Sequence, residues 1–303
     1  MSLRIATFNV LDLFEHDPYA SVLPAKIAFI AETLRRADAD VVALQEIGSD
    51  GLLSRLVSEE LASLRYTHVR SADGDRRGIR NAIFTRLPVL FSHVHAPASL
   101  PFPRFVDTDP EPFGQRIPMR RGVVHLRVES DIGPVDVMTV HFKSKLGRAM
   151  QDAAGSDVID VSARGYAEAQ LRSLVLRSAE ALFVRDLVDG LLREGNERVA
   201  VVGDFNDTLE SLPLRIVCGV GRGLDPAAML APATSLVATE SRFSARHGST
   251  PQLIDHVLLS PALGQRLASC SIFNETLRDH GPYDPDAPPA SDSDHALVVA
   301  ELR

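Results

Sequence analysis

The segment Val201-Val202-Gly203-Asp204-Phe205-Asn206-Asp207 constrains this chain most. Apolar residues from Val199 to Val202 run straight into Gly203, then a carboxylate and an amide follow two positions apart. Side chains at i and i+2 of a strand point to the same side of a sheet. Asp204 and Asn206 are therefore expected to project together from a sheet rim. Asp and Asn also begin turns, and this segment alone leaves both readings open.

The same arrangement recurs along the chain. Asn9 ends a first apolar run, and Glu46 follows Val41-Val42-Ala43-Leu44-Gln45. His141 follows Val137-Met138-Thr139-Val140, and Asp294-His295 immediately precedes Ala296-Leu297-Val298-Val299-Ala300. Asp255 stands inside Leu253-Ile254-Asp255-His256-Val257-Leu258-Leu259. Taken singly, a Glu after a strand is a solvated charge, and a lone His is a surface or satisfied core residue. Asp255 differs, because burying an unpaired carboxylate costs several kcal/mol. It needs a partner, and a histidine is a natural one.

Short β-like runs alternate with amphipathic helical ones. Strands are expected at Leu3 to Val10, Asp40 to Gln45, Asn81 to Thr85, Val89 to His93, Gly122 to Val128, Val135 to His141, Arg198 to Val202, Gln252 to Leu259 and Ala296 to Leu302. Helices are expected at Ala20 to Ala37, Leu52 to Leu64 and Ala163 to Leu192, the first with Val22, Ile27, Ile30 and Leu34 near helical spacing. Ala96 to Arg121, with six prolines, and Asp279 to Ser293, with four, read as long functional loops over one face. Strands with helices between them, without strict βαβ repetition, imply an α/β fold. The expected form is a four-layer α/β sandwich, two packed mixed, largely antiparallel β-sheets flanked by helices. No linker divides the chain, so residues 1–303 read as a single domain.

A net charge of −8 argues against nonspecific coating of nucleic acid and fits a site built from carboxylates. No apolar run approaches the ~20 residues of a membrane span. Cys218 and Cys270 are too few for a disulfide framework and read as packed, reduced thiols. With no export signal seen, a cytoplasmic location is expected.

The rim residues fit one chemistry. Carboxylates and an amide are hard oxygen ligands suited to Mg²⁺ or Mn²⁺. The sequence shows no histidine or cysteine cluster with zinc spacing. A histidine oriented by an aspartate serves as general base or phosphate-stabilising group. Phosphoester hydrolysis needs water activation and charge neutralisation on the phosphoryl oxygens.

Seven ordered segments between residues 6 and 295 carry a resemblance. They are Ala6-Thr7-Phe8-Asn9-Val10, Ala43-Leu44-Gln45-Glu46-Ile47, Arg80-Asn81-Ala82-Ile83-Phe84-Thr85-Arg86-Leu87-Pro88-Val89, Thr139-Val140-His141-Phe142-Lys143-Ser144-Lys145, Val202-Gly203-Asp204-Phe205-Asn206-Asp207, Ile254-Asp255-His256-Val257-Leu258-Leu259-Ser260 and Ser293-Asp294-His295. In these the chain resembles the endonuclease/exonuclease/phosphatase superfamily, with the pancreatic-deoxyribonuclease-like fold. The His-Phe-Lys-Ser-Lys segment resembles bacterial nucleases more than the apurinic-site endonucleases, which carry a tyrosine-bearing strand there.

The resemblance implies roles. Glu46, helped by Asn9, would hold the divalent metal, and Asp294 would complete that shell or serve a second ion. His295, oriented by Asp255, would act as base or touch the phosphate. Asp204 would activate water, Asn206 would fix a phosphate oxygen, and His141 would stabilise the pentavalent phosphorus or protonate the leaving oxygen. Asn81 sits where the superfamily places a polar residue near the phosphate, with Arg80 beside it.

Lys143 and Lys145 share the face of His141 if its strand continues, and would then reach flanking phosphates. Arg116, Arg120 and Arg121, with Arg148, Arg164 and Arg172, offer a basic rim. Phe102, Phe105 and Phe113 would stack on bases, enter a lipid surface or form their loop's own core. The expected function is a metal-dependent phosphodiesterase, foremost a nuclease on DNA or RNA. The alternative is a phosphatase or phosphodiesterase on an inositol phosphate, phospholipid head group or nucleotide. A catalytically dead binding module is disfavoured, since every expected catalytic side chain is present.

Overall fold

Two pairs of parallel strands set the architecture. The computed structural model describes residues 2–104, 117–152, 154–221, 223, 225–247, 250–281 and 287–303. In chain order the strands are β1 (Leu3–Leu13), β2 (Val41–Ile47), β3 (His68–Ser71), β4 (Arg80–Thr85), β5 (Val89–His95), β6 (Val123–Val128), β7 (Val135–His141), β8 (Met150–Gln151), β9 (Asp157–Val158), β10 (Val199–Asp204), β11 (Ala231–Pro232), β12 (Ala245–His247), β13 (Thr250–Gln252), β14 (Asp255–Leu259), β15 (Leu267–Ile272) and β16 (Val298–Leu302). The helices are α1 (Leu23–Ala37), α2 (Asp50–Arg55), α3 (Ala163–Arg193), α4 (Leu212–Cys218) and α5 (Pro261–Gly264).

One six-stranded sheet has the order β15-β16-β1-β2-β4-β3, the other β11-β14-β10-β7-β6-β5. Each has one parallel step, β1 with β2 and β7 with β10, and is otherwise antiparallel. Residues such as Ile5, Val41, Ile83, Val124, Val202 and Val257 fill the space between the sheets. The outer face of the first sheet packs on α1 through Ile27, Ile30 and Leu34. Burying each of these contributes about 1.5–3 kcal/mol. The outer face of the second packs on α3 and α4 through Ala181, Val184, Val188 and Val217. This is the four-layer sandwich expected from the sequence.

Several boundaries differ from expectation. The first strand runs past Asn9 to Leu13, through a left-handed bulge at Leu11 and Asp12 (φ 54° and 45°). The helix expected over Leu52 to Leu64 is α2 followed by wider and tighter turns at Leu56–Glu60 and Ala62–Leu64. The strand expected over Gln252 to Leu259 divides into β13 and β14, because Ser244 Oγ takes the N–H groups of Ile254 and Asp255. The runs on either side of Pro88 enter different sheets, so Arg86 to Pro88 is a crossover. Edge strands β3 and β15 were not foreseen, since their residues are largely exposed and lack alternation.

Among the described residues no helix is long and apolar enough to cross a membrane. Both cysteines are free.

Candidate active site

Parallel neighbours end on the same rim. Asn9 lies beside Gln45 in the β1–β2 ladder, which carries Glu46 to the C-terminal end of β2. His141 lies beside Asp204 at the ends of β7 and β10, and Asp204 opposes Asp255 at the start of β14. His295, just before β16, bridges to Ala245. The sheets are pinned together behind this rim by Gln45, whose Nε2 donates to Thr7 Oγ1 and to Thr139 Oγ1 across the interface.

Gly203 allows the close approach of β10 to β7. Its φ is +143°, and a Cβ there would collide with the carbonyl oxygen of Val140. Four of the six non-glycine residues with positive φ among those described, Leu11, Asp12, Glu46 and Asn206, line the same cleft. The other two, Asp38 and Arg65, cap helix ends. Left-handed backbone held away from helix caps marks a site that the surrounding structure enforces.

The cleft has a volume of about 2410 Å³. Glu46, His141, Asp204, Asn206, Asp294 and His295 line it, with Lys143 and Lys145. Asn9 and Asp255 sit behind this lining, in contact with it. Asn9 Nδ2 donates to Glu46 Oε1 and Asp204 Oδ2, both at 3.1 Å, while its Oδ1 accepts the N–H of Leu11. Its amide oxygen is thus committed to the backbone, and Asn9 positions the two carboxylates.

Asn206 behaves differently from the sequence expectation. It lies beyond β10 in a left-handed turn, its N–H donating to Asp204 Oδ1 at 2.7 Å. Its Nδ2 donates to Phe142 O and Asp204 Oδ2. Both readings of the opening segment therefore hold: the pair makes a turn, and the turn orients Asp204. With its amide hydrogens engaged, Asn206 has none left for a phosphate oxygen.

The strand of His141 does not continue to Lys145. It ends at His141, and Lys143 N donates to buried Glu180. Lys143 Nζ folds back onto Ser144 and Leu146 carbonyls, and Lys145 Nζ pairs with Asp207 at 3.4 Å. Both lysines reach the cleft from a loop.

Arg80 and Asn81 do not line the cleft. Arg80 pairs with Asp50 at 3.0 Å, and Asn81 is fully buried, donating to Gly122 O. The antiparallel β2–β4 ladder sets Arg80 opposite Ile47, at the rim itself, so these contacts and not the strand order keep both side chains out of the cleft. Arg120, Arg121, Arg148 and Arg172 do line the cleft, whereas Arg164 pairs with Glu168 on α3 outside it. Phe102 packs against the α3-side core. Arg116, Phe105 and Phe113 fall outside the described residues.

Other cleft residues gave no signal in the sequence. Asp12 arrives through the Leu11–Asp12 bulge, Tyr19 from the short turn before α1, Lys26 from the first turns of α1, and Arg77 from the loop before β4. Ser244 Oγ donates to Asp255 Oδ2 at 2.7 Å. Ser293 Oγ donates to Asn9 O and accepts the N–H of His295.

Protonation follows from burial and neighbours. Burial lifts Asp204 to about 7, the His295 charge pulling it down and Asp255 pushing it up. Burial disfavours charge on His295, but Asp255, hydrogen-bonded at Nδ1, and Asp204 outweigh it and raise the imidazole well above its ordinary value. Burial and Arg121 hold His141 well below its ordinary value, so it is neutral. Burial opposes ionisation of Glu46, but His141, Arg121 and donors from Asp12 and Asn9 bring it to about 2.

The ligand atoms of Asp204, Asp255 and His295 lie within 4.8 Å of one another, close enough for one metal ion. His295 Nδ1 is already given to Asp255, however, so this trio also fits a fixed imidazolium. Asp294 Oδ1 is buried and makes no hydrogen bond among the described residues. Ionised Glu46 accepts one donor at each oxygen, from Asn9 and from the Asp12 N–H, and keeps lone pairs on both, so that with Asp294 it offers carboxylate oxygens suited to a hard cation.

Fold and site together define a phosphoester hydrolase built on two packed sheets. The Endonuclease/Exonuclease/phosphatase family profile matches residues 6–295, and the chain belongs to that family. A comparison with curated proteins found no match. Among solved structures, TDP2 from C. elegans is 13% identical at a TM-score of 0.60, covering 100% of this chain and 75% of that one. A family protein from Bacteroides thetaiotaomicron is 17% identical at 0.62, covering 100% and 97%. The 3′ phosphatase NExo from Neisseria, bound to a product DNA hairpin, is 18% identical at 0.58, covering 99% of each chain. These likenesses concern the fold.

Proposed function

We propose that the chain is a Mg²⁺- or Mn²⁺-dependent phosphodiesterase that hydrolyses DNA. The convergence of Glu46, His141, Asp204 and the Asp255–His295 pair on one rim carries this reading. Glu46 and Asp294 would hold the ion, with Asn9 fixing Glu46. The ion supplies charge neutralisation on the phosphoryl and leaving oxygens.

Asp204, poised near neutrality, accepts a proton from the attacking water. His295 is a fixed cation: Asp255 holds Nδ1 and leaves Nε2 to donate to a non-bridging phosphate oxygen. Neutral His141, its Nε2 3.7 Å from Glu46 and 3.5 Å from Asp204, lends a further donor to the developing charge. Asn206 and Asn9 hold Asp204 in place.

A polyanionic substrate is supported by the cleft's far wall. Burial and then Arg76 lower the pKa of Arg120; burial and then Arg120 lower that of Arg148. Three guanidinium groups that disfavour one another's charge form a patch suited to phosphates. NExo, with its DNA hairpin, and TDP2 from D. rerio, complexed with a single-strand DNA product, share the fold. The free thiols support a reducing compartment such as the cytoplasm.

The test is cleavage of supercoiled plasmid beside bis(p-nitrophenyl) phosphate and a panel of phosphomonoesters, with Mg²⁺ or Mn²⁺ and with EDTA. EDTA-sensitive plasmid cleavage is expected. Intact plasmid with turnover of a small ester would overturn DNA as the substrate.

A further inference from the structure

A second group of titratable side chains lies on the other side of the second sheet's edge, away from the cleft. His93 and His95 alternate on β5 and so share a face. His125 on β6 stands directly opposite His93 in the ladder. His95 Nε2 and His125 Nδ1 are 3.3 Å apart. The His93 and His95 rings are 4.6 Å apart, and those of His95 and His125 are stacked at 5.5 Å.

The 3.3 Å spacing has a chemical meaning. Two nitrogens bound to one zinc ion at about 2.0–2.1 Å in tetrahedral geometry stand roughly 3.3–3.4 Å apart. The contact is a hydrogen bond from His95 Nε2–H to His125 Nδ1, and its span matches the one an ion would need after replacing that proton. His125 is also oriented as a ligand: its Nε2–H donates to Asp136 Oδ1 at 2.7 Å, which turns the Nδ1 lone pair toward His95. Asp136 is itself held by Arg127 Nε at 2.9 and 3.1 Å. A carboxylate behind the distal nitrogen of a metal-binding imidazole fixes its tautomer and strengthens it as a ligand. The Phe91 ring stands edge-on to His125 at 5.1 Å and forms an apolar wall.

We propose that His93, His95 and His125 bind a divalent transition metal ion, of which Zn²⁺ fits best. Three imidazoles select zinc-type ions over Mg²⁺, so this site and the oxygen-rich cleft take different metals. The His93 nitrogens do not lie with the other two as the rings stand, and since His93 is exposed a rotation about its side-chain bonds would bring it to the ion. A fourth position stays open to solvent. Sequence spacing concealed the site, because its ligands come from two strands that only the sheet brings together.

The test is a Co²⁺ titration of metal-stripped protein in excess Mg²⁺, followed by visible absorption. A tetrahedral Co²⁺ band is expected in the unaltered protein and in His295→Ala. His95→Ala should abolish it, and His93→Ala should weaken binding at least ~10-fold. His93 is exposed, so that variant keeps its fold, checked by circular dichroism. Absence of the band in the unaltered protein overturns the proposal. A band that survives both His93→Ala and His95→Ala but disappears in His295→Ala also overturns it, by placing the ion in the cleft.

Discussion

His295 donates its Nδ1–H to Asp255 Oδ2 at 2.8 Å, with Asp255 fully buried and His295 8% exposed. The bond locks the ring and leaves Nε2 for the cleft. His295→Ala, and separately Asp255→Asn, are expected to lower kcat at least ~10²-fold while the fold persists. Kinetics on bis(p-nitrophenyl) phosphate, with circular dichroism as control, checks this. Near-normal turnover in either variant would remove that residue from the mechanism.

Asp204 is lifted by burial to about 7 and must be ionised to accept a proton. A dication bound nearby favours the ionised form, so the rate should fall with pH through a value at or below about 7, where Asp204 becomes protonated and idle. The slope should approach about tenfold per pH unit. His295, raised well above its ordinary value, stays charged through this range and adds no limb of its own. A kcat profile over roughly pH 5 to 8 tests this. A flat profile contradicts the assignment, and Asp204→Asn should abolish the limb with the activity.

Gly203 is the packing constraint beneath the site. In Gly203→Ala the new Cβ meets the Val140 carbonyl, and the positive φ adds strain. Overpacking costs about 1–3 kcal/mol and a left-handed non-glycine residue about 1–2. A stability loss of at least ~3 kcal/mol is expected in denaturant unfolding. A loss below ~1 kcal/mol would show that β7 and β10 separate easily.

Arg120 and Arg148 are expected to act on DNA alone. Each Ala variant should raise KM for DNA and reduce the salt slope of binding by about 1. Turnover of bis(p-nitrophenyl) phosphate should be unchanged. Equal loss on both substrates would assign these residues a structural part.

Arg80→Ala should leave kcat and KM within about twofold, since the Asp50 pair it breaks is a partly exposed ion pair contributing about 0–1 kcal/mol.

The rim was legible in the sequence because β7 and β10 end at the residues that face the cleft, His141 and Asp204. The burial of Asp255 demanded a partner, and His295 is that partner. Less legible was anything set by backbone outside the strands. The left-handed turn at Asn206 converts an expected phosphate ligand into a support for Asp204. The bulge at Leu11 and Asp12 brings Asp12 into the cleft, and α1 brings Lys26, without any motif. Arg80 and Asn81 carry the resemblance and stand at the rim end of β4, yet Arg80 is taken by Asp50 and Asn81 by the carbonyl of Gly122. The His93–His95–His125 group depends on cross-strand register, which local spacing does not encode.

The most direct test is DNA cleavage measured against Mg²⁺ concentration for the unaltered protein and for Glu46→Gln. Cleavage that requires the ion, with half-saturation in Glu46→Gln moved at least ~10-fold upward, is the expected result. Cleavage independent of added metal and indifferent to Glu46→Gln would contradict a metal-dependent phosphodiesterase centred on this cleft.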